Sequence, residues 1–396
     1  MTLVDIISNG GLLCDGDWIE KKDQDVRGKV RLIQLADIGD GEFKDKSSKY
    51  ITLETAERLH CTFLEKGDIL IARLPEPLGR ACIFPLEGAY ITAVDIAILR
   101  IKDISINPQY IMYLINSSTF RSQIKQYESG TTRKRISRKN LEKIEFSLPN
   151  LEIQNRIVAR IEELFSKLDK AVDTLKTTKE QLAVYRQAVL KDAFSDFEKK
   201  DSIRNLTMVV TSGSRGWAKY YSNSGALFVR IGNLTHSGID IDFRDIQHIT
   251  PPDNAEGVRT RLQPNDVLVS ITADLGSIGF VSEKVEEAYI NQHIALVRFQ
   301  NPVQGRFMAW YLRSEYGQKD LLKNKRGGGK LGLGLDDIRD TPVPIVDDVT
   351  AKETVDKIEE QLSVCNSIEK TVDTALAQTD AMRQSILKQA FKEGSI

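Results

Sequence analysis

The longest uninterrupted hydrophobic pattern of this chain runs from Leu151 to Phe194 and contains neither glycine nor proline. Apolar side chains recur there at alternating intervals of four and three residues, and the same spacing returns near the C-terminus. A 3.5-residue repeat maintained over this length is typical of a coiled-coil seam. The pattern predicts two long helices, the first spanning roughly 66 Å. The predicted seam residues are Ile157, Ile161, Leu164, Leu168, Leu175, Leu182 and Val189, and then Ile358, Cys365, Ile368, Val372, Met382 and Ile386.

Two arrangements of these helices agree with the pattern. Each helix could pack on its own globular part as an ordinary amphipathic helix. The matched registers of the two segments favour the other arrangement, in which the helices pair with each other. If they pair antiparallel, the chain forms a pseudo-two-fold object.

The chain is an internal duplication in which matching segments lie 197 residues apart. The segment QAVLKDAF at 187–194 returns as QSILKQAF at 384–391. With the same offset, RIEE at 160–163 returns as KIEE at 357–360. Each copy therefore consists of a globular part followed by a long helix.

The globular part of each copy combines strand and helix patterns. Runs of branched residues at 68–72 and 266–271 predict strands, and helical spacing at 108–125 and 304–323 predicts helices. The expected fold class is α+β, with two similar mixed α/β domains joined by two long antiparallel coiled-coil helices. The expected boundaries are 1–150 for the first domain, 151–198 for the central helix, 199–346 for the second domain and 347–396 for the C-terminal helix.

Composition and charge narrow the possible functions. No apolar run approaches the roughly 20 residues of a membrane helix, and the N-terminus lacks the pattern of a signal peptide, so we expect no membrane partner. The four cysteines include no CxxC pair, which argues against structural zinc or disulfides and suits a reducing cytoplasm. Because the net charge is −1, any contact with nucleic acid must come from local clusters.

No catalytic constellation stands out in the sequence. The glycines at 329, 332 and 334 lack the strand–turn–helix setting of a dinucleotide site, and no GxxxxGK[ST] phosphate loop occurs. The triplet Glu20-Lys21-Lys22 matches the end of many nuclease sites, but such triplets arise by chance in a chain with 28% charged residues. We therefore expect no catalytic residue, no metal site and no cofactor bound by this chain.

Basic clusters occupy matching places in the two copies. Glycine lets a backbone approach a phosphate closely, and threonine hydroxyls can donate to it. A solvated surface loop is the ordinary interpretation of such a charge run, and its recurrence makes phosphate binding an equal alternative. The residues concerned are Thr131, Thr132, Arg133, Lys134, Arg135, Arg138 and Lys139 after Gly130, and Lys323, Lys325, Arg326 and Lys330 around the glycines at 327–329.

Another cluster, in the second copy, interleaves small, basic and aromatic residues. Ser214, Arg215, Trp217 and Lys219 suit insertion into a groove and stacking on bases. The corresponding segment of the first copy, which ends near Trp18, lacks these cations, as expected for two domains that read different sequences. Both tryptophans could equally be core residues.

These features together resemble the specificity subunit of type I restriction–modification enzymes. The segment Leu148-Pro149-Asn150-Leu151-Glu152-Ile153-Gln154 looks like the family's pattern that opens the central spacer helix. The ending at 386–391 looks like that of the second spacer, and segments 211–217 and 230–234 look like the opening of a target recognition domain. One departure is that the second spacer follows Pro342-Val343-Pro344 rather than the Leu-Pro-x-Leu-Glu-x-Gln pattern.

The resemblance implies a function and a set of partners. Each recognition domain would read one half of a split, asymmetric target in double-stranded DNA, and the helices would set the unread gap. Two modification subunits, which bind S-adenosylmethionine and methylate adenine at N6, would dock on this chain. Restriction subunits, which act as motor and nuclease with ATP and Mg²⁺, would join for cleavage. This chain would be non-catalytic by itself.

Two other function classes remain open at this stage. The chain could be a coiled-coil scaffold whose globular ends bind proteins only, or an enzyme with an unrecognised nuclease centre. Salt-dependent binding to duplex DNA separates the specificity subunit from the scaffold, because phosphate contacts release counterions. Cleavage or methylation by the purified chain alone would support the enzyme.

Overall fold

The computed structural model describes residues 1–7, 10–75, 77–252, 255–323, 325–326 and 331–393. The chain divides into two compact units, and each is described by itself. Unit 1 contains Met1–Leu175 and Thr374–Ile396, and unit 2 contains Lys176–Asp373. Each unit therefore combines one globular domain with parts of both long helices.

Domain 1, the globular part of unit 1, is a mixed α/β fold built on two sheets. Its strands are β1 (Leu12–Asp15), β2 (Val30–Ile33), β3 (Lys49–Ile51), β4 (Ile69–Ala72), β5 (Ala81–Ile83), β6 (Tyr90–Thr92) and β7 (Ile96–Arg100), and its helices are α1 (Leu53–Arg58), α2 (Pro108–Asn116), α3 (Ser118–Gln126) and α4 (Arg138–Leu141). The four-stranded sheet has the order β1-β7-β4-β5 and is antiparallel throughout. The three-stranded sheet has the order β3-β2-β6, and β2 runs parallel to β6.

The central helix α5 (Leu151–Phe194) begins in unit 1 and ends in unit 2. Domain 2 contains β8 (Lys200–Ser202), β9 (Thr207–Ser212), β10 (Tyr221–Ser222), β11 (Ala226–Val229), β12 (Gln247–Ile249), β13 (Val267–Ser270), β14 (Ile278–Phe280), β15 (Ala288–Ile290), β16 (Ile294–Phe299) and β17 (Pro342–Pro344). Its helices are α6 (Ile203–Leu206), α7 (Ala255–Thr260), α8 (Gly305–Arg313), α9 (Glu315–Leu321) and α10 (Leu335–Arg339). The C-terminal segment forms α11 (Asp348–Ala377) and α12 (Thr379–Glu393), separated at Gln378.

The sheets of domain 2 repeat those of domain 1. The order β14-β13-β16-β9 matches β5-β4-β7-β1, and β12-β11-β15 matches β3-β2-β6, including the parallel pair. The strands predicted at 68–72 and 266–271 are β4 and β13, whose residues are all buried. The helical patterns at 108–125 and 304–323 are helix pairs rather than single helices. Ser117 and Ser314 end one helix and cap the next, since each hydroxyl accepts a backbone N–H.

The start of α5 explains the spacing of the Leu-Pro-x-Leu-Glu-x-Gln motif. The Asn150 side chain caps the helix by accepting the Ile153 N–H at 3.0 Å. Gln154 is buried; its amide donates to the Pro149 carbonyl at 2.8 Å and accepts the Asn107 N–H at 2.8 Å. The motif therefore fixes the direction in which α5 leaves domain 1. At the second spacer the analogous bond comes from a residue of domain 2, because the Gln304 side chain donates to the Val346 carbonyl at 2.9 Å.

The long helices run antiparallel within each unit. Contacts made in one unit recur in the other between residues 197 positions away in sequence. In unit 2, Phe194 of α5 packs on Phe307 with 5.4 Å between ring centroids. In unit 1, Phe391 of α12 packs on Tyr110, also at 5.4 Å. The end of each spacer therefore docks on the domain of the other copy, as expected for paired helices rather than helices that pack only on their own domain.

Charged contacts between the helices also recur in both units at the 197-residue offset. In unit 2 the Arg186 guanidinium donates to Glu369 at 2.7 Å and to Asn366 at 2.6 Å. In unit 1 the equivalent Arg383 pairs with Asp169, the equivalent of Asn366. The fold class inferred from the sequence is confirmed by this architecture.

The seam prediction needs one correction. Ile161, Ile358, Cys365 and Val372 are buried, but Ile368 and Met382 are 40% and 49% exposed. The alternate seam positions lie one residue later than predicted. The buried residues there include Val158, Val355 and Leu362.

The predicted and observed seams differ because two adjacent faces of each helix can form the seam. These two faces share every second seam position. Val355 and Leu362 are more apolar than the predicted Thr354 and Gln361, and burying them outweighs exposing Ile368. The same choice places Glu369 and Arg186 on the seam, where they form the ion pair described above. Of the other predicted positions, Ile157, Leu168 and Val189 are buried, whereas Leu164, Leu175, Leu182 and Ile386 are half-buried.

Candidate nucleic-acid interface

Each domain gathers four chain segments at one edge of its four-stranded sheet, which we call the loop edge. In domain 1 the Arg73 N–H donates to the Asp95 carbonyl at 3.0 Å, and the Arg73 carbonyl accepts the Ile136 N–H at 3.1 Å. The equivalent bonds in domain 2 join Ile271 to His293 and Leu333, both at 2.9 Å. The same four segments therefore converge in both domains. In domain 1 they are the segment after β1, the β4–β5 connection, the loop before β7 and the glycine-containing basic loop. In domain 2 they are the segment after β9, the β13–β14 connection, the loop before β16 and the equivalent basic loop.

The basic loop of domain 1 is a tight hairpin. Ser129 and Arg135 exchange two backbone hydrogen bonds of 2.9 Å. Gly130 closes the turn at φ +96°, and a Cβ added there would lie 2.3 Å from the Arg133 carbonyl oxygen. Glycine is therefore required by both conformation and space. The hairpin exposes Thr131, Thr132, Arg133, Lys134 and Arg135 to solvent.

The predicted cations of this loop differ in whether they form ion pairs within domain 1. Lys134 pairs with Glu128 at 2.8 Å, and Arg138 pairs with Glu142 and, at 3.4 Å, with Asp15. Arg138 is half-buried and helps to hold the loop edge together. No ion pair joins Arg133, Arg135 or Lys139 to any residue that the structure describes, and all three are exposed. These three are the cations most available to a phosphate.

The equivalent hairpin of domain 2 has the same closure. Arg326 and Gly332, the counterparts of Ser129 and Arg135, exchange backbone hydrogen bonds of 3.0 and 2.9 Å. Lys323 and Lys325 are exposed, while the Arg326 guanidinium reaches Asp337 at 3.0 Å. Lys330 and the glycines at 327–329 lie outside the described residues.

The segment after β9 corrects one sequence hypothesis. Trp217 is 3% exposed and stacks on Phe228 with 5.2 Å between centroids, so it is a core residue and cannot stack on a base. Arg215 and Lys219 remain exposed, and the Lys219 ammonium lies 4.9 Å from the centroid of the Tyr220 ring. The Ser214 hydroxyl accepts a 2.8 Å hydrogen bond from Arg259. Arg259 was not among the residues predicted from the sequence.

Two histidines on the loop edge of domain 2 were also missed, because their partners are distant in sequence. His236 Nε2 lies 2.7 Å from Asp274 Oδ1 and 3.0 Å from Ser277 Oγ, and its hydrogen bond holds the pKa of Asp274 below its usual range. Both partners share one ring nitrogen, whereas a relay to a nucleophile needs both nitrogens. This cluster therefore does not activate Ser277. His293 hydrogen bonds to Thr272 and Gln292 on the same edge.

Asp17 makes part of the loop edge of domain 1 sensitive to pH. Its carboxylate accepts the Thr62 N–H at 3.1 Å, but burial is the larger influence and raises its pKa from 3.8 to about 6. Above about pH 6 the group is ionised in folded and unfolded chains alike, so the cost of burying its charge is fully present. As the pH falls toward 4 the folded state takes up a proton first, and this cost disappears.

Asp17→Asn is therefore expected to increase the free energy of unfolding at pH 7.5 by about 1–2 kcal/mol, a value discounted for the partial exposure of the side chain. The asparagine oxygen can still accept the Thr62 N–H. The measurement is the difference between wild type and variant in chemical denaturation across pH 4–7.5, in which other groups cancel. The advantage of the variant should shrink as the pH falls, and a constant difference would contradict the assigned pKa.

The described residues contain no group of three or more potential metal ligands from histidine, cysteine, aspartate and glutamate. None of the helices in the described part of the chain is long and apolar enough to cross a membrane.

Comparison with known proteins shows which proteins this chain resembles. Residues 11–183 match the family model described as a type I restriction modification DNA specificity domain. This part of the chain therefore resembles the DNA specificity domain of type I restriction–modification enzymes. Its curated relatives include the EcoBI specificity subunit of Escherichia coli, 24% identical over 306 residues, and the StySPI specificity subunit of Salmonella potsdam, 26% identical over 311 residues. These alignments cover 69% and 72% of this chain but only 63% and 65% of the relatives.

Solved structures share the fold of this chain over nearly its full length. The crystal structure of the HsdS subunit from Thermoanaerobacter tengcongensis aligns with a TM-score of 0.59 at 16% identity, covering 97% of each chain. A chain from the work "Structural basis underlying complex assembly and conformational transition of the type I R-M system" aligns with a TM-score of 0.70 at 16% identity, covering 97% of this chain and 98% of that one. At this identity the likeness shows the fold alone.

Proposed function

We propose that this chain is a specificity subunit that reads a bipartite, asymmetric sequence in double-stranded DNA, each domain reading one half through its loop edge. The observation that carries the proposal is the recurrence of one backbone pairing, Ser129 with Arg135 and Arg326 with Gly332, on the same edge of two domains whose exposed side chains differ. Exposed cations on such a hairpin position a protein on phosphates, while side chains beside them read bases. The differences between the two edges suit a target whose halves differ.

The remaining parts of the proposal follow the family. The chain is the non-catalytic member of a complex in which two modification subunits supply S-adenosylmethionine and N6-adenine methylation. Restriction subunits supply ATP-dependent, Mg²⁺-dependent cleavage. The long helices set the length of the unread gap. The named relatives are specificity subunits of restriction enzymes, which supports this assignment of partners.

The proposal is tested by exchanging a domain. Residues 199–346 are replaced by the corresponding segment of a relative, and methylated adenines are mapped in cells that carry the modification partner. One half of the methylated site should change while the other half and the gap stay the same, because each domain has its own core and loop edge. A reciprocal exchange of residues 1–150 serves as the control and should change the other half. A change in both halves from either exchange, with both proteins folded, would contradict independent reading.

Binding of the purified chain to duplex DNA distinguishes this function from a scaffold that binds proteins only. A DNA reader should lose affinity steeply as salt rises, because each phosphate contact releases counterions. Affinity that is absent at low salt would favour the scaffold.

A further inference from the structure

Trp18 is the exposed tryptophan of this chain. The sequence contains three tryptophans; Trp217 and Trp310 are 3% and 7% exposed, whereas Trp18 is 71% exposed. An indole buries more apolar area than almost any other side chain and is enriched where one molecule contacts another. Its exposure at a loop edge needs an explanation that the fold of domain 1 does not supply.

The position of Trp18 is fixed by a close crossing of two backbones. A Cβ added to Gly16 would lie 2.3 Å from the Ala93 carbonyl oxygen, and the Asp17 N–H donates to the Thr92 carbonyl at 2.8 Å. Domain 2 has the same crossing 197 residues later. There a Cβ on Gly213 would lie 2.3 Å from the Asn291 carbonyl carbon. The second residue after the crossing glycine is thus Trp18 in domain 1 and Arg215 in domain 2, and both are exposed.

Two carboxylates near Trp18 are paired with cations of domain 1, whereas Asp17 is ionised above about pH 6. Asp15, just before the crossing, pairs with both Arg73 and Arg138 at 3.4 Å. Glu20 pairs with Lys22 at 2.6 Å and also accepts a hydrogen bond from the Trp18 side chain. The basic hairpin joins the same edge through the bond from Ile136 to Arg73. The exposed cations Arg133, Arg135 and Lys139 on this edge favour a polyanion as the partner.

We propose that Trp18 is a DNA contact of domain 1, packing its indole ring against a base of the half-site that this domain reads. The inference rests on the proposed function and assigns different chemistry to the two equivalent positions. The indole offers a broad apolar face and a single N–H donor, which can move from Glu20 to an acceptor on a base edge. Arg215 offers a fork of donors that matches the two acceptors of guanine. The two half-sites are thus read by unlike groups from one structural position.

Iodide quenching of tryptophan fluorescence tests the contact directly, because the other two indoles are buried. The full chain is titrated with iodide, alone and saturated with a duplex that carries the methylated target. Bound target should abolish most of the quenchable emission, and Trp18→Phe should remove the same emission without DNA. Unchanged quenching at saturating target would overturn the inference. Protection by modification subunits in the absence of DNA would also overturn it, assigning Trp18 to a protein interface.

Trp18→Ala supplies the energetic test. We expect about a tenfold loss of affinity for the target, within the range of roughly 5- to 100-fold typical of an aromatic ring that contacts a base. Trp18→Phe should recover part of this loss. Substituting bases in the half-site of domain 1 should matter less to Trp18→Ala than to wild type, whereas substitutions in the other half-site should affect both proteins equally. A merely structural role would not produce this split between half-sites.

Different outcomes distinguish the proposed function from the role of Trp18. If wild type shows no salt-dependent binding to duplex DNA, the proposed function is wrong and this inference falls with it. If wild type binds the target while Trp18→Ala keeps full affinity and unchanged base preference, only the role of Trp18 is wrong. Arg215→Ala is the matched variant at the equivalent position and should reduce discrimination in the half-site of domain 2 alone.

Discussion

Replacing Asp266 with alanine is expected to destabilise domain 2 by about 3–5 kcal/mol, the usual cost of removing one partner from a buried ion pair. Asp266 is fully buried between β13 and the turn before it. Its two carboxylate oxygens each accept a 2.7 Å hydrogen bond from Arg298, and one also accepts the Gln263 N–H at 2.7 Å. Burial raises the pKa of this carboxyl, although Arg298 and the Gln263 N–H oppose the effect. Alanine would leave a mostly buried guanidinium without a carboxylate.

The duplication supplies a matched control for this variant. Asp68 holds Arg100 in domain 1 with the same pair of 2.7 Å bonds. Arg100 has a second carboxylate, however, because Glu65 accepts from it at 2.7 Å. Asp68→Ala should therefore cost less, about 1–3 kcal/mol, since the remaining charge is still paired.

Amide hydrogen exchange provides the readout, because a chain with two compact units need not unfold in a single step. Asp266→Ala should speed exchange in β13 and β16 by roughly 100-fold or more while leaving β4 and β7 unchanged. The double replacement Asp266→Leu with Arg298→Met should recover much of the loss, because neither charge is then stranded. Equal effects from Asp266→Ala and Asp68→Ala would contradict the role given to Glu65.

The duplication made the large features of this fold predictable from one sequence. The long stretch without glycine and proline predicted α5 with the observed start at Leu151, whereas the helix ends at Phe194, before the expected boundary at 198. Agreement between copies predicted β4 and β13 together, since two weak strand patterns at one offset support each other. The seam was predicted correctly at Ile157 and at the shared positions that are buried, but not at Ile368 or Met382. A 3.5-residue repeat leaves two adjacent faces available, and contacts between the helices decide between them.

The loop edge was predictable in part. The hairpin cations were identified because charge and glycine are visible along the chain. Trp217 was assigned to base stacking, but its neighbours Phe228 and Tyr289 come from strands that are distant in sequence and enclose the ring. Trp18 was left open between a core residue and a contact residue, and Arg259 was missed, for the converse reason. Their exposure and contacts depend on backbone crossings that no local pattern reveals.

Removing three cations of the basic hairpin and the adjacent α4, which form no ion pair with any described residue, is expected to lower DNA affinity by about 100-fold at physiological salt. The variant carries Arg133→Ala, Arg135→Ala and Lys139→Ala, and it spares Lys134 and Arg138, which pair with acids inside domain 1. Each phosphate contact contributes about 0.9 to the slope of log affinity against log salt, so the slope should become shallower by about 2.7. Extrapolated from 1 M to about 0.15 M salt, that slope corresponds to roughly two orders of magnitude in affinity.

The loss should be nearly the same for target and unrelated duplexes, because phosphate contacts carry no sequence information. A control variant replaces Arg27, Lys29 and Lys49, three exposed cations on or beside the β3–β2–β6 sheet, and changes the net charge by the same amount. It should bind with nearly the wild-type salt slope, since charges that do not touch phosphates act only through a screened field. The measurement is affinity at several salt concentrations for all three proteins. If the control lost as much affinity and slope as the hairpin variant, binding would depend on overall charge. If the hairpin variant alone discriminated bases differently while keeping its slope, the hairpin would be reading bases, and the phosphate contacts would have to lie on another segment of the loop edge.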